Sequence, residues 1–310
     1  MTIRLQAIAS YIPRGGIDNL LQAAAFGETE DSVLHKIGAR WLPRKAEDEE
    51  TSDLATKAVA ILLEKTQLSP GNVGALVVVT QNGDGYHLPH TSAFVHAKLG
   101  LPTSVPVFDI SLGCSGYVYG LHILRSLMQA SNLDNGILVT ADPYSKIINP
   151  QDKATTLLFG DAATATLLSN QGHWSLSNPR MGSDGKNAEQ IMVKDGQFFM
   201  NGRQVFNFAA LLIPKEIQAL LQENGLNETD IDSYCLHQGS AGILDAIARR
   251  FPAVKDRFIN KLYSTGNTVS SSIPLLLEEQ ISRAETKRVL ISGFGVGLSW
   301  ASMILNRKEI

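Results

Sequence analysis

Residues 105–116 read Val-Pro-Val-Phe-Asp-Ile-Ser-Leu-Gly-Cys-Ser-Gly, and the fold turns on what happens there. Val105 to Leu112 reads as a strand. Beyond Gly116 the periodicity predicts a helix that carries no charged residue before Arg125 and is apolar on nearly every side. A helix hydrophobic all round is buried rather than amphipathic. Cys114 falls where the strand stops and the helix begins. Unpaired backbone N–H groups and the positive end of the dipole at a helix N-terminus both favour a thiolate, and a lowered thiol pKa makes cysteine a nucleophile near neutral pH. Read alone, Cys114 fits an inert buried residue as well. A nucleophile at the foot of a buried helix implies a cavity reaching into the protein, a natural approach for a long, thin substrate.

Outward from this junction the chain runs the same course twice. Residues 51–65 predict a helix with Asp53 as candidate cap, followed by a turn at Pro70-Gly71 and an apolar strand at 75–80. Val205 to Glu223 again reads as a helix, and Gly225 and the polar residues 227–230 lead into a strand at 231–237. Just as 105–112 leads into the buried helix, the strand-like stretch 257–265 leads through Gly266-Asn267 into a helix from about 272 to 284. Each half closes with two strands, 136–141 and 162–168 in the first, 288–293 and 298–305 in the second. Helices and strands alternating in two similar arrays predict mostly parallel sheets covered by helices. We divide the chain into residues 1–168, which carry Cys114, and 169–310. Nothing linker-like separates the halves, so one compact unit is expected.

At 310 residues, 44% hydrophobic and 18% charged, the chain has an ordinary globular composition. A net charge of -3 supplies no strong field to recruit nucleic acid or an anionic membrane. Two cysteines, one in each half, give no disulfide framework and fit a reducing compartment. Met1-Thr-Ile-Arg-Leu-Gln-Ala-Ile lacks the pattern of a secretory signal, and no apolar run reaches bilayer length. The expectation is a cytoplasmic α/β protein.

His237 and Asn267 follow second-half strands, and ligand sites in parallel α/β sheets gather at the carboxyl ends of strands. His237 ends an apolar run in Tyr234-Cys-Leu-His-Gln-Gly-Ser240, and Asn267 lies in the small, polar Tyr263-Ser-Thr-Gly-Asn-Thr-Val-Ser270. On these residues alone, His237 also fits a hydrogen-bonded structural histidine, and Asn267 a helix cap or turn.

Six stretches together carry a resemblance: Asp109 to Gly116, Phe159-Gly-Asp-Ala-Ala163, Asn201 to Phe206, His237-Gln238, Gly266-Asn-Thr268 and Gly293-Phe-Gly-Val-Gly-Leu-Ser-Trp300. In order and approximate spacing they resemble the β-ketoacyl-acyl-carrier-protein synthase III group of the thiolase superfamily, over nearly the whole chain. The resemblance implies a duplicated thiolase-like α/β fold of five layers, α-β-α-β-α, and a homodimer. It implies an acyltransferase with Cys114 as acyl-accepting nucleophile and His237 and Asn267 completing a Cys-His-Asn set, without cofactor or metal. A thiolate can hold an acyl group as a thioester, dividing a hard condensation into two easier steps. Two neutral N–H donors suit the enolate left when a malonyl-type thioester loses carbon dioxide. The same resemblance assigns the oxyanion donors to the backbone N–H groups of Cys114 and Val296, although the family usually carries glycine at the latter position. It assigns the acyl tunnel to Gly202, Phe206 and Leu88, the last reaching the partner subunit.

Other departures bear on substrate. Ser32 stands where many relatives carry a tryptophan that stacks on coenzyme A, with Lys36 and Arg40 nearby, and Gly242 replaces a family arginine. These changes lean the acyl donor toward an acyl carrier protein rather than acyl-coenzyme A, in a fatty-acid-like or specialised acyl pathway. Arg249, Arg250, Lys255 and Arg257 form a basic cluster that suits an acidic carrier, or an ordinary solvated helix face. Acyl transfer to a hydroxyl or amine, and a non-catalytic subunit of a synthase heterodimer, are the alternatives. Asp84, His87 and His90 share a segment broken by Gly83, Gly85 and Pro89, so their spacing fixes no common face for a metal. Gly293 to Gly297 looks like a phosphate loop but has no βαβ unit after it. Cys235, inside a strand, reads as a buried small hydrophobe.

Overall fold

The structure is a computed structural model that describes residues 2–308; Met1, Glu309 and Ile310 lie outside the described residues. The first half begins with β1 (Arg4–Tyr11), then a small hairpin of β2 (Gly16–Asp18) and β3 (Trp41–Pro43) that brackets α1 (Asn19–Ala24). There follow α2 (Thr51–Thr66), β4 (Ala75–Val79), α3 (Thr91–Leu99), β5 (Val107–Ile110), α4 (Gly116–Ser131), β6 (Asn135–Ala141), α5 (Lys153–Thr156) and β7 (Ala163–Ser169). Strands β8 (Trp174–Leu176) and β9 (Arg180–Ser183) and a hairpin of β10 (Ile191–Lys194) and β11 (Gln197–Met200) lead into α6 (Gly202–Glu223). The chain finishes through β12 (Ser233–Leu236), α7 (Ala241–Ala248), α8 (Leu262–Thr265), α9 (Ser272–Ser282), β13 (Arg288–Gly295) and β14 (Ser299–Arg307).

One hydrogen-bonded path orders the main strands β12-β13-β14-β8-β1-β7-β6-β4-β5. Strand β8 joins its two arms, meeting β1 at the single pair Leu5–Trp174 and running antiparallel to β14. The arms face each other across α4, which packs on β4 and β6 on one side and on β13 and β14 on the other, and across α9, which lies between β1 and β12. Helices α2 and α3 cover the outer face of the first arm, and α6 and α7 that of the second. The expected α-β-α-β-α layering is therefore present.

The central layer explains the apolar sequence of α4. Tyr117, Val118, Leu121, Leu124 and Met128 are fully buried with Ile273, Leu276 and Leu277 of α9 in one core. Burying each such side chain contributes roughly 1.5–3 kcal/mol. A Cβ on Gly116 would come within 2.4 Å of Val79 Cγ1, so only glycine lets the helix start this close to the sheet.

Three expectations change. The sheet is mixed rather than mostly parallel: among the described strands β4–β5, β4–β6 and β12–β13 pair parallel, while β1–β7, β6–β7, β13–β14 and the pairings of β8 and β9 run antiparallel. Asp53 is not the cap of α2: Glu50 holds that position, and the Asp53 carboxylate accepts the Glu50 N–H from the third helical residue, a capping box. Residues 257–265 are not a strand. Phe258 stacks on Tyr234 at 4.4 Å and Ile259 N–H donates to Tyr234 O, but pairing stops at that one bridge, and 262–265 coil into α8 ahead of Gly266.

Candidate functional site

Four chain segments converge on one cavity of about 140 Å³ lined by Cys114, His237 and Asn267. Cys114 leaves the carboxyl end of β5, His237 that of β12; Asn267 follows α8, and the turn joining β13 to β14 brings Gly295 and Val296. All three predicted polar side chains are buried.

The sulfur sits under the β13–β14 turn. A Cβ on Gly295 would fall 2.8 Å from Cys114 Sγ, and one on Gly293 2.4 Å from Cys114 O, so the turn must be glycine-rich to approach the thiol. The backbone N–H groups of Cys114 and Val296 lie close enough to the sulfur to favour its charged form. Ser299 Oγ donates to Val296 O at 2.8 Å and lies 2.7 Å from Ser115 Oγ, tying the turn to the start of α4.

Burial outweighs those two donors. It and the nearby Asp142 carboxyl push the Cys114 thiol up to about 12, so the sequence-based expectation of a thiol acidified by the helix terminus is corrected. The helix begins at Gly116, two residues past the sulfur, and desolvation disfavours the charged form.

Burial likewise pushes His237 down to about 3, so its ring is neutral. Nδ1 lies 2.8 Å from Ser272 Oγ, and the ring stands edge-on to Phe294 at 5.5 Å. Asn267 is fixed from three directions. Its N–H donates to Leu158 O, its carbonyl accepts from Gly160 N–H, and its Oδ1 accepts from Val269 N–H at 2.9 Å. With Oδ1 so occupied, the amide offers Nδ2 to the cavity as a donor.

Sequence reasoning did not anticipate Asp142. It is fully buried; Oδ1 accepts from Gln81 N–H and from Asn82 Nδ2, both at 3.1 Å, while Oδ2 and the neighbouring Ser270 hydroxyl are buried without meeting at hydrogen-bonding geometry. Desolvation raises the carboxyl to about 7.

The apolar wall also went largely unread. Tyr144, Phe159 and Phe198 contact one another at 4.9 to 5.4 Å between ring centres beside the thiol, and the β10–β11 hairpin adds Ile191 and Met200. The signal for that hairpin was present in Asp195-Gly196, whose φ angles of 52° and 76° are those of a tight two-residue turn between alternating apolar residues.

Gly202 and Phe206, at the start of α6, line the cavity. Leu88 does not. It is 86% exposed, beyond Gly85, Tyr86 and His87, whose left-handed backbone carries the segment outward. Lys36 is exposed on the segment Ser32–Ile37, against which α7 packs, and α7 starts at the cavity rim residues Gly239 and Ser240. Arg249 and Arg250 are exposed at the far end of that helix, Arg249 paired with Asp245 at 2.7 Å; Arg40 is paired with Asp18. Asp84 turns inward to Ser52 N–H while His87 reaches Gln81 O, so the candidate metal residues do not converge. Among the described residues no helix is long and apolar enough to cross a membrane.

Residues 108–185 match the family description 3-oxoacyl-[acyl-carrier-protein] synthase III, and residues 221–307 match its C-terminal counterpart. The β-ketoacyl-[acyl-carrier-protein] synthase III of Lactococcus lactis subsp. cremoris is 31% identical over 324 residues, covering 98% of each chain. A crystal structure of a 3-oxoacyl-(acyl-carrier-protein) synthase III superposes with a TM-score of 0.93 at 30% identity, over 99% of this chain and 100% of that one. The Pseudomonas aeruginosa PAO1 3-oxoacyl-(acyl carrier protein) synthase III gives 0.91 at 30% identity, over 100% and 99%.

Proposed function

The chain belongs to the 3-oxoacyl-[acyl-carrier-protein] synthase III family, and from that premise we propose how its residues perform a decarboxylative condensation. The observation that carries the reading is the meeting of Cys114, His237 and Asn267 around one apolar cavity, with the backbone N–H groups of Cys114 and Val296 beside the sulfur.

In the loading step the Cys114 sulfur attacks an acyl thioester. The tetrahedral oxyanion forms between the N–H groups of Cys114 and Val296, donors that survive the valine substitution because they are backbone groups. The thiol proton leaves with the departing thiol, so the exchange of one thioester for another is neutral overall, which suits a site that holds the thiol high. In the second step a malonyl thioester loses carbon dioxide, and its enolate oxygen accepts hydrogen bonds from His237 and Asn267. The enolate carbon attacks the acyl-cysteine, the carbon–sulfur bond breaks, and one proton taken up restores the thiol beside a β-ketoacyl thioester. A histidine held neutral serves as a donor here without bringing a buried charge.

The small cavity and the Tyr144–Phe159–Phe198 wall support a short acyl group. The extender is carried by an acyl carrier protein, with Lys36, Arg249 and Arg250 as exposed cations on and beside the rim helix; the acyl donor is a carrier-protein or coenzyme A thioester. The pathway is fatty-acid-like. A homodimer is supported by the outer edge of β5, which ends the strand order, and by the exposed Tyr86 and Leu88.

The test is discharge of acyl-loaded protein with a malonyl carrier thioester. Carbon dioxide and a β-ketoacyl product are expected in equal amounts. His237→Ala should cut condensation by about 10²–10³-fold, the usual cost of one oxyanion-type donor, while sparing loading. Discharge onto hydroxyl or amine acceptors without carbon dioxide, or equal loss of both steps in the variant, would count against the reading.

A further inference from the structure

His237 can donate to an enolate only if its proton sits on the nitrogen that faces the cavity. Nδ1 is turned away, 2.8 Å from Ser272 Oγ at the first residue of α9. Nε2 lies on the opposite edge of the ring, toward the cavity-lining Gly239. The tautomer is therefore decided at Ser272, whose hydroxyl has one proton and two acceptors within reach: His237 Nδ1, and Val269 O at 2.9 Å.

Two neighbouring groups favour the histidine. Val269 O already accepts the backbone N–H of Ser272 and does not need the hydroxyl proton. Gln238 N–H approaches Ser272 Oγ at 3.4 Å and supplies that oxygen with a donor from the histidine side. An oxygen that accepts from Gln238 and donates to Nδ1 satisfies these groups and leaves the proton of the ring on Nε2; the opposing arrangement, with Nδ1–H donating toward Ser272 and the Val269 carbonyl and the hydroxyl turned to Val269 O, is the one the experiment below would detect.

We propose that Ser272 is a positioning residue: its hydroxyl donates to His237 Nδ1, holds the imidazole as the Nε2–H tautomer, and so makes it a hydrogen-bond donor to the substrate oxygen. The assignment rests on the condensing reading for its purpose, but not for its geometry. Without the hydroxyl, the acceptor left beside Nδ1 is the Val269 carbonyl. It draws the proton to Nδ1, and Nε2 then turns a lone pair toward the enolate. Loading, which uses the backbone donors at the sulfur, does not require Nε2–H.

The experiment is nitrogen-15 NMR of full-length protein labelled at histidine, His237 being assigned by loss of its signals in His237→Gln, together with loading and condensation rates for Ser272→Ala and Ser272→Thr. The wild type should show a protonated Nε2 and a pyridine-like Nδ1. Ser272→Ala should exchange the two signatures, load at near wild-type rate, and condense about 100-fold more slowly; Ser272→Thr, which keeps the hydroxyl, should recover both signature and rate. Wild-type protein protonated at Nδ1 would overturn the proposal, and this measurement stands even if the alanine variant does not fold. An alanine variant that keeps Nε2–H would also overturn it. If the tautomer exchanges as expected but the wild type itself never condenses, the positioning role stands and the condensing reading falls.

Discussion

Replacing Asp142 by asparagine isolates the charge buried behind Cys114. Asparagine keeps the shape, its Oδ1 still accepts from Gln81 N–H and Asn82 Nδ2, and its Nδ2 faces the Ser270 hydroxyl. What changes is the titration. A carboxyl raised from 3.8 to about 7 on folding contributes stability that is fully present below pH 3.8 and lost as pH rises through about 7. At ~1.4 kcal/mol per pH unit the loss amounts to about 1.7 kcal/mol at pH 5 and about 4 kcal/mol at pH 8. The variant should therefore gain stability relative to wild type, and the gain should be about 2–3 kcal/mol larger at pH 8 than at pH 5. Contributions common to both proteins, including His237's own titration, cancel in each difference, and pH-independent effects of the substitution cancel between pH values. Urea unfolding of both proteins at pH 5, 6.5 and 8, at matched protein concentration, reads the gap directly. A gap that stays constant across the range, or shrinks as pH rises, would refute a buried, desolvated carboxyl at this place.

Gly295→Ala would set a methyl group 2.8 Å from Cys114 Sγ; the circular dichroism should be unchanged and the loading rate should fall at least about 100-fold, as a displacement near 1 Å costs elsewhere, whereas wild-type loading would mean the turn yields freely. Phe198→Ala opens the aromatic wall: it should destabilise by about 3–5 kcal/mol and shift loading toward longer acyl donors, and unchanged chain-length preference would show that the wall does not set the limit.

Much of this arrangement was legible in the sequence because it is written in periodicity and punctuation. A helix without charge from Gly116 to Arg125 has to be buried, and Gly293, Gly295 and Gly297 mark a turn pressed against something. The misreadings have physical causes. Residues 257–265 carry strand-like composition and run beside the open edge of β12, but they make only the single bridge Phe258–Tyr234 before 262–265 coil into α8 ahead of Gly266. Ile191 to Met200 has a strong hairpin turn, but its strands are four residues each, too short for the pattern to stand out before their partner surface is known. The electrostatics of the thiol were the hardest to foresee. A helix terminus is visible in sequence; the depth of burial and a carboxyl 28 positions along the chain that folds back behind the sulfur are not.

The central claim is that one sulfur carries the acyl group. Intact-mass spectrometry after incubation with a mixture of short acyl-coenzyme A and acyl-carrier thioesters tests it most directly. The wild type should gain the mass of one acyl group per chain, mapping to Cys114, and Cys114→Ala should gain none. Equal acylation of the alanine variant, or acyl mass on Cys235 instead, would contradict the account.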